Sequence, residues 1–167
     1  MSQVLVAYAS KYGATAEIAE RIGQVLRQAG LGVEVLPAER VGSLQAYRAV
    51  VLGSAVYIGR WRKQAATFLK ANEQALAERP VWLLSSGPTG KGDPVELTHG
   101  WRFPTGLQPV ADRIKPRDIA LFHGSANAEK LNFLEKFMLK QVKAPAGDFR
   151  DWAAITAWAT AIADALK

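Results

Sequence analysis

The stretch "VLVAYASKYGATAEIAERI", residues 4–22, passes from an apolar segment through a small polar loop into an amphipathic segment. Residues 4–8 are nearly continuous in apolar side chains, the pattern of a strand covered on both faces. Beyond the loop, Ile18, Ala19, Ile22, Val25, Leu26 and Ala29 recur at helical spacing, and Gly30 and Gly32 end that helix. The loop itself carries Ser10, Lys11, Tyr12, Gly13, Ala14 and Thr15. Free amides and partial positive charge at a helix start suit a phosphate. The same residues equally suit a plain helix start, with Ser10 or Thr15 as N-cap and Gly13 as a turn residue.

Working outward, apolar runs keep alternating with helical ones. Residues 32–36 alternate and predict a strand with one wetter face near a sheet edge. Residues 49–53 predict a third, buried strand, followed by a loop over 54–61 and one helix over 62–77 whose inner face is Ala65, Phe68, Leu69 and Leu76. Residues 80–85 predict a fourth strand and residues 118–123 a fifth. Between them, residues 86–115 are rich in glycine, proline and polar side chains, with a helical portion over 106–114. Helical patterns over 130–142 and 152–166 close the chain. Strands alternating with helices of this length build βαβ units, hence a parallel sheet with helices on both faces. The expectation is one doubly wound α/β domain over residues 1–167, a three-layer sandwich around a five-stranded parallel sheet.

Composition narrows the chemistry. The 167 residues are 49% apolar and 22% charged, which is globular rather than disordered. There is no cysteine, so disulfides, thiolate metal sites, iron–sulfur clusters and cysteine nucleophiles are excluded. Two histidines, His99 and His123, are too few for a dedicated zinc site. No apolar run approaches the roughly 20 residues of a membrane span. The chain starts directly in a strand rather than in a signal peptide, so a cytoplasmic protein is expected. A formal charge of +6 favours encounter with anions. Nucleic acid has only that charge in its favour, without a recognition motif.

In a doubly wound sheet, ligands bind beyond the carboxyl ends of the strands, where the strand order reverses. Three familiar phosphate sites do not fit there. The dinucleotide fingerprint needs three spaced glycines, and only Gly13 is present. A Walker loop fails at Gly90-Lys91, because Gly92 follows the lysine and Ser85 stands where the first glycine belongs. A phosphoryl-accepting receiver would need acidic residues where Tyr8-Ala9-Ser10 and Gly53-Ser54-Ala55 stand. Two further loops at the same end are informative. Ser54, Ala55, Val56, Tyr57, Ile58, Gly59 and Trp61 surround two aromatics with an apolar rim, which suits a flat ring that Tyr57 or Trp61 could stack upon. The alternative is that both rings pack under the following helix. Ser86, Gly87 and Pro88 follow the fourth strand and offer backbone amides to the polar edge of such a ring.

On these residues the sequence resembles the flavodoxin-like family. Ser10, Tyr12, Gly13 and Thr15 match its first-loop pattern, and "YASKYGATAEIAERIG", "VVLGSAVYIGRWRKQAATFL", "LEKFMLKQV" and "DWAAITAWA" are similar to the branch that includes the menaquinone-dependent protoporphyrinogen oxidases. The resemblance implies strand order 2-1-3-4-5, FMN at the switch point, and a phosphate as the occupant of the first loop. It further implies an oxidoreductase in which the residue 55–59 backbone faces the reactive edge of the ring and Gly59 adjusts with redox state. Residues 86–115 have no counterpart in that branch, so the resemblance carries the flavin further than the substrate. A non-enzymatic FMN electron carrier and a cofactor-less interaction module remain open.

Carrier flavodoxins tend to be acidic, and this chain has the opposite sign. Arg60, Arg62 and Lys63 flank the expected ring pocket, and Arg102, Arg113, Lys115 and Arg117 are expected to approach from the long segment. Such a rim would attract an anionic small-molecule substrate or redox partner, or an anionic membrane carrying quinone. His123, ending the fifth strand, reads as a structural imidazole rather than an acid or base. In "LNFLEKFMLKQVK", Leu131, Leu134, Met138 and Val142 form a stripe between lysines. That stripe suits a sheet-covering helix or a peripheral membrane contact.

Overall fold

Five parallel strands form the centre of the molecule. The computed structural model describes residues 3–126 and 147–167. In chain order these are β1 (Gln3–Ala9), α1 (Ala14–Gln28), β2 (Val33–Pro37), β3 (Tyr47–Tyr57), β4 (Arg60–Trp61), α2 (Lys63–Ala71), α3 (Glu73–Ala77), β5 (Val81–Ser86), α4 (Pro94–Leu97), α5 (Gln108–Ile114), β6 (Asp118–Phe122), β7 (Ser125–Ala126), β8 (Gly147–Asp148) and α6 (Trp152–Leu166). The helix expected over 130–142, with its apolar stripe, lies outside the described residues.

The main sheet runs β2-β1-β3-β5-β6, with β4 folded back on β3. Setting that short arm aside, this is the expected order 2-1-3-4-5, with β2 at an edge. Register brings the strand ends level, since Ala9 and Ser85 both pair with Ser54 of β3. Alternation sends the side chains to two separate cores. Leu5, Val50, Leu52 and Leu83 meet Phe68, Leu69, Leu76, Val110 and Ile114 from α2, α3 and α5. Val6, Val51, Trp82 and Leu84 meet Ile18, Ile22 and Leu26 of α1 and Ile155 and Ile162 of α6. Burying each such large aliphatic side chain stabilises the fold by about 1.5–3 kcal/mol, which is why strands covered on both faces read as unbroken apolar runs.

Two elements depart from the sequence expectation. The single helix over 62–77 is two helices, because the Asn72 side chain donates to the Phe68 carbonyl at 2.9 Å and its own backbone leaves helical geometry. A short polar side chain that competes for backbone carbonyls favours such a break. The loop over 54–61 is instead a β-hairpin, with Val56 paired to Trp61 and Tyr57 to Arg60. Its turn residues Ile58 and Gly59 have φ of 51° and 68°. Positive φ at both central positions is the type I′ requirement, and a β-branched residue there carries strain.

The amino end of the sheet is held by polar clamps. Arg79 donates to the carbonyls of Ala75, Tyr47 and Leu44. Tyr47 is buried and its hydroxyl donates to Glu34 of the edge strand at 2.5 Å. Burial, reinforced by the Glu34 carboxylate, pushes the Tyr47 phenol up to about 12. A folded value above the ordinary one of about 10 means stabilisation that is complete below pH ~10 and lost as pH rises toward 12. Urea unfolding across pH 9–12 is expected to show that decline, and Tyr47→Phe to flatten it.

Candidate functional site

The carboxyl ends of β1, β3, β5 and β6 surround one cleft. It encloses about 730 Å³ of empty space, part of it open to solvent. Ser10, Lys11, Tyr12, Ala14 and Thr15 line it from the first loop, and Ala55, Val56 and Tyr57 from the end of β3. Arg62, Ser86, Gly87, Gly124 and Ser125 complete the wall. Lys11 and Arg62 are charged, and among the described residues no carboxylate belongs to this lining.

The first loop answers the choice left open by its sequence. Neither Ser10 nor Thr15 is the N-cap. Gly13 holds that place at φ 91°, a conformation that favours glycine, and no side chain caps the helix. The Ser10 hydroxyl instead accepts from the Gly13 amide at 3.0 Å, closing the loop on itself. The Thr15 hydroxyl shares a buried 2.8 Å hydrogen bond with the hydroxyl of Ser86. The first turn of α1 is thereby pinned to the end of β5 with its amides uncapped, the arrangement that favours an anion.

The loop's outer side is braced from β8. Arg150, almost fully buried, donates to both carboxylate oxygens of Asp148, to Glu17 at 2.8 Å and to the Ala14 carbonyl at 3.2 Å. That hydrogen-bonded guanidinium holds the Asp148 carboxyl below its ordinary range. On the other wall Tyr57 is 41% exposed. The Lys11 ammonium lies 5.1 Å from the centroid of Tyr12 and 5.8 Å from that of Tyr57.

Several residues expected at the site lie elsewhere. Trp61 does not reach the cleft. Its ring is buried edge-on against Phe103 at 5.0 Å, and its indole N–H donates to Ser85 at 2.8 Å. Ser54 is fully buried at the hairpin root, where its hydroxyl donates to the Ala55 carbonyl and accepts from the Arg62 amide. Ile58 and Gly59 form the exposed tip of the hairpin, and the Pro88 carbonyl is engaged by His123 and by the amide of Gly124. Gly13 faces an adjoining cavity rather than the cleft. Arg113 pairs with Glu73, and Arg117 lies over Trp82 with its amide on Val81. With Lys115, they belong to the amino end of the sheet, because the turn between α5 and β6 lies there. His123 is structural, as its sequence suggested, its ring buried between the carbonyls of Pro88 and Gly92, to one of which a neutral imidazole donates.

Gly124 and Ser125 escaped the sequence reading. The rule that ligands gather at the carboxyl rim applies to the loop after β6 as well and would have found them. A Cβ on Gly124 would come within 2.8 Å of the Gly87 Cα and 3.0 Å of its carbonyl. Two backbones meet there without side chains between them.

Residues 5–152 match the family model described as the flavodoxin domain. The chain belongs to the flavodoxin-domain family. No curated protein matches it. Among solved structures it is similar to a flavodoxin from the domain Archaea, with 15% identity over 98% of both chains and a TM-score of 0.64. Oxidised flavodoxin 2 from Bacillus cereus is 19% identical over 98% of this chain and 99% of that one, with a TM-score of 0.63. Rubredoxin oxygen:oxidoreductase from Desulfovibrio gigas is 14% identical with a TM-score of 0.65, and the match spans 99% of this chain but 36% of that one. At these identities the structures speak for the shared fold.

The cofactor of a flavodoxin domain is FMN, and this cleft fits it. Uncapped amides and the Ser10 loop lie where a phosphate would be held. The Tyr57 ring lies where a ring face would be covered, and the Ser86–Gly87 backbone where a ring edge would be met. Gly124→Ala is expected to push the Gly87 backbone into the cleft, lowering stability by about 1–3 kcal/mol and weakening FMN binding. Urea denaturation and flavin fluorescence titration of the variant check both effects.

Proposed function

We propose that this flavodoxin domain is an FMN-dependent oxidoreductase acting on an anionic substrate, with chemistry like that of the quinone-linked protoporphyrinogen oxidases. The observation that carries the reading is the sign of the cleft. Among the described residues, the lining of this open site includes Arg62 and Lys11 and no carboxylate. A low-potential carrier gains by placing negative charge near its reduced flavin, whereas a cationic mouth draws in carboxylated ring compounds. The sequence likeness to the oxidase branch supports the same choice.

When bound, FMN supplies reversible exchange of hydride or single electrons with substrate and acceptor. The chain's own part is placement. The first turn of α1 and the Ser10 loop hold the phosphate end. The Thr15–Ser86 hydrogen bond fixes the distance between that end and the β5 loop. Tyr57 covers one ring face and excludes water from it. Among the described residues, no side chain lining the cleft is an evident acid or base, so proton exchange falls to solvent at the open mouth. His123 does not line the cleft.

A second reading, a flavodoxin-type electron carrier, is favoured by near full-length similarity to two flavodoxins. One experiment separates the two. The chain reconstituted with FMN is expected to oxidise a carboxylated porphyrinogen with a quinone as acceptor. Bound flavin with no such turnover, together with rapid exchange with a flavodoxin reductase, would return the chain to the carriers. Failure to take up FMN at all would remove both readings.

A further inference from the structure

We propose that Arg62 is the counter-ion of the cofactor's phosphate, and the residue by which this site selects FMN over unphosphorylated riboflavin. The proposal rests on the reading above that the cleft takes FMN. Arg62 is fixed at its root. Its amide donates to Ser54 at 2.9 Å, and its carbonyl accepts from the amides of Ala65 and Ala66 at the start of α2. From there it lines two spaces at once. One is the cleft; the other is an adjoining cavity of about 560 Å³ whose wall includes Ser10, Gly13 and Ala16. A side chain shared by these two spaces stands beside the first loop and the uncapped start of α1.

Its charge is uncompensated there. Arg62 is half-buried, and among the described residues its guanidinium makes no hydrogen bond or ion pair. Glu39 borders the same cavity without forming an ion pair with it. An unpaired guanidinium on a residue that shares a wall with the first loop, whose helix start is itself partly positive, is a charge that an anion would relieve. Of the groups on FMN, only the phosphate carries the charge and the paired oxygens that match a planar fork of donors. Tyr57 and the Ser86–Gly87 backbone meet the ring in either flavin, so Arg62 supplies a difference that the rest of the wall does not.

The test compares FMN and riboflavin, titrated by fluorescence into the native chain, Arg62→Gln, Arg62→Lys and Lys70→Ala. Lys70 is exposed on α2 outside the cleft lining, so its loss changes net charge alone. Arg62→Gln is expected to weaken FMN about 10- to 100-fold, the range of a lost charge-assisted pair, and to leave riboflavin within about twofold. Arg62→Lys, which keeps the charge and loses the fork, should restore only part of the FMN affinity. Lys70→Ala should change neither flavin, and the fall of FMN affinity with added salt should be shallower in Arg62→Gln than in the native chain. Equal weakening of both flavins, or none, overturns the proposal while leaving FMN binding intact. A native chain that binds neither flavin removes the parent reading and this one with it.

Discussion

Every feature of the site depends on how β3 is held between β1 and β5. Residues 50–54 are buried and paired on both sides, so a slip of one residue would exchange the contents of the two cores. That cost fixes the register, and the register sets Ala9, Ser54 and Ser85 at one height. The three loops that follow therefore leave the sheet side by side. The cleft is a consequence of strand pairing, and no loop has to find its place unaided.

The polar groups at this rim divide into scaffold and ligand roles. The hydroxyls of Ser54, Thr15, Ser85 and Ser86 are buried and already partnered, joining the hairpin to β3, α1 to β5 and Trp61 to β5. They stiffen the frame, since a buried hydroxyl left unpaired would be costly. The cleft lining itself presents backbone amide, the Tyr57 ring, Lys11 and Arg62. Such a division gives a site made before its ligand arrives, and one whose charge is positive from three independent sources.

Much of this was legible in the sequence, for physical reasons that can be named. Strands covered on both faces leave unbroken apolar runs, so residues 49–53 and 80–85 were readable, and α6 matches its periodicity at both ends. The hairpin was not readable, because Ile58 at positive φ is the opposite of a turn signal. Trp61 was misplaced because an aromatic in a short loop carries no mark of which side it faces, and here an indole N–H found a buried hydroxyl. Arg113, Lys115 and Arg117 were assigned to the wrong end, because charge in a long irregular segment says nothing of where the chain turns. The first-loop hydroxyls suited a phosphate or a cap, and it took the geometry to show that Ser10 accepts from the Gly13 amide and Thr15 bonds to Ser86 of β5.

The account stands on FMN occupying the carboxyl rim with its phosphate at the start of α1. Amide chemical-shift mapping with FMN added to isotope-labelled protein tests that directly. The account predicts large shifts at residues 13–16, 86–87 and 124, with residues 117–119 at the far end of the sheet unmoved. Binding that shifts the far end and spares residues 13–16 would contradict it, as would no shift at all.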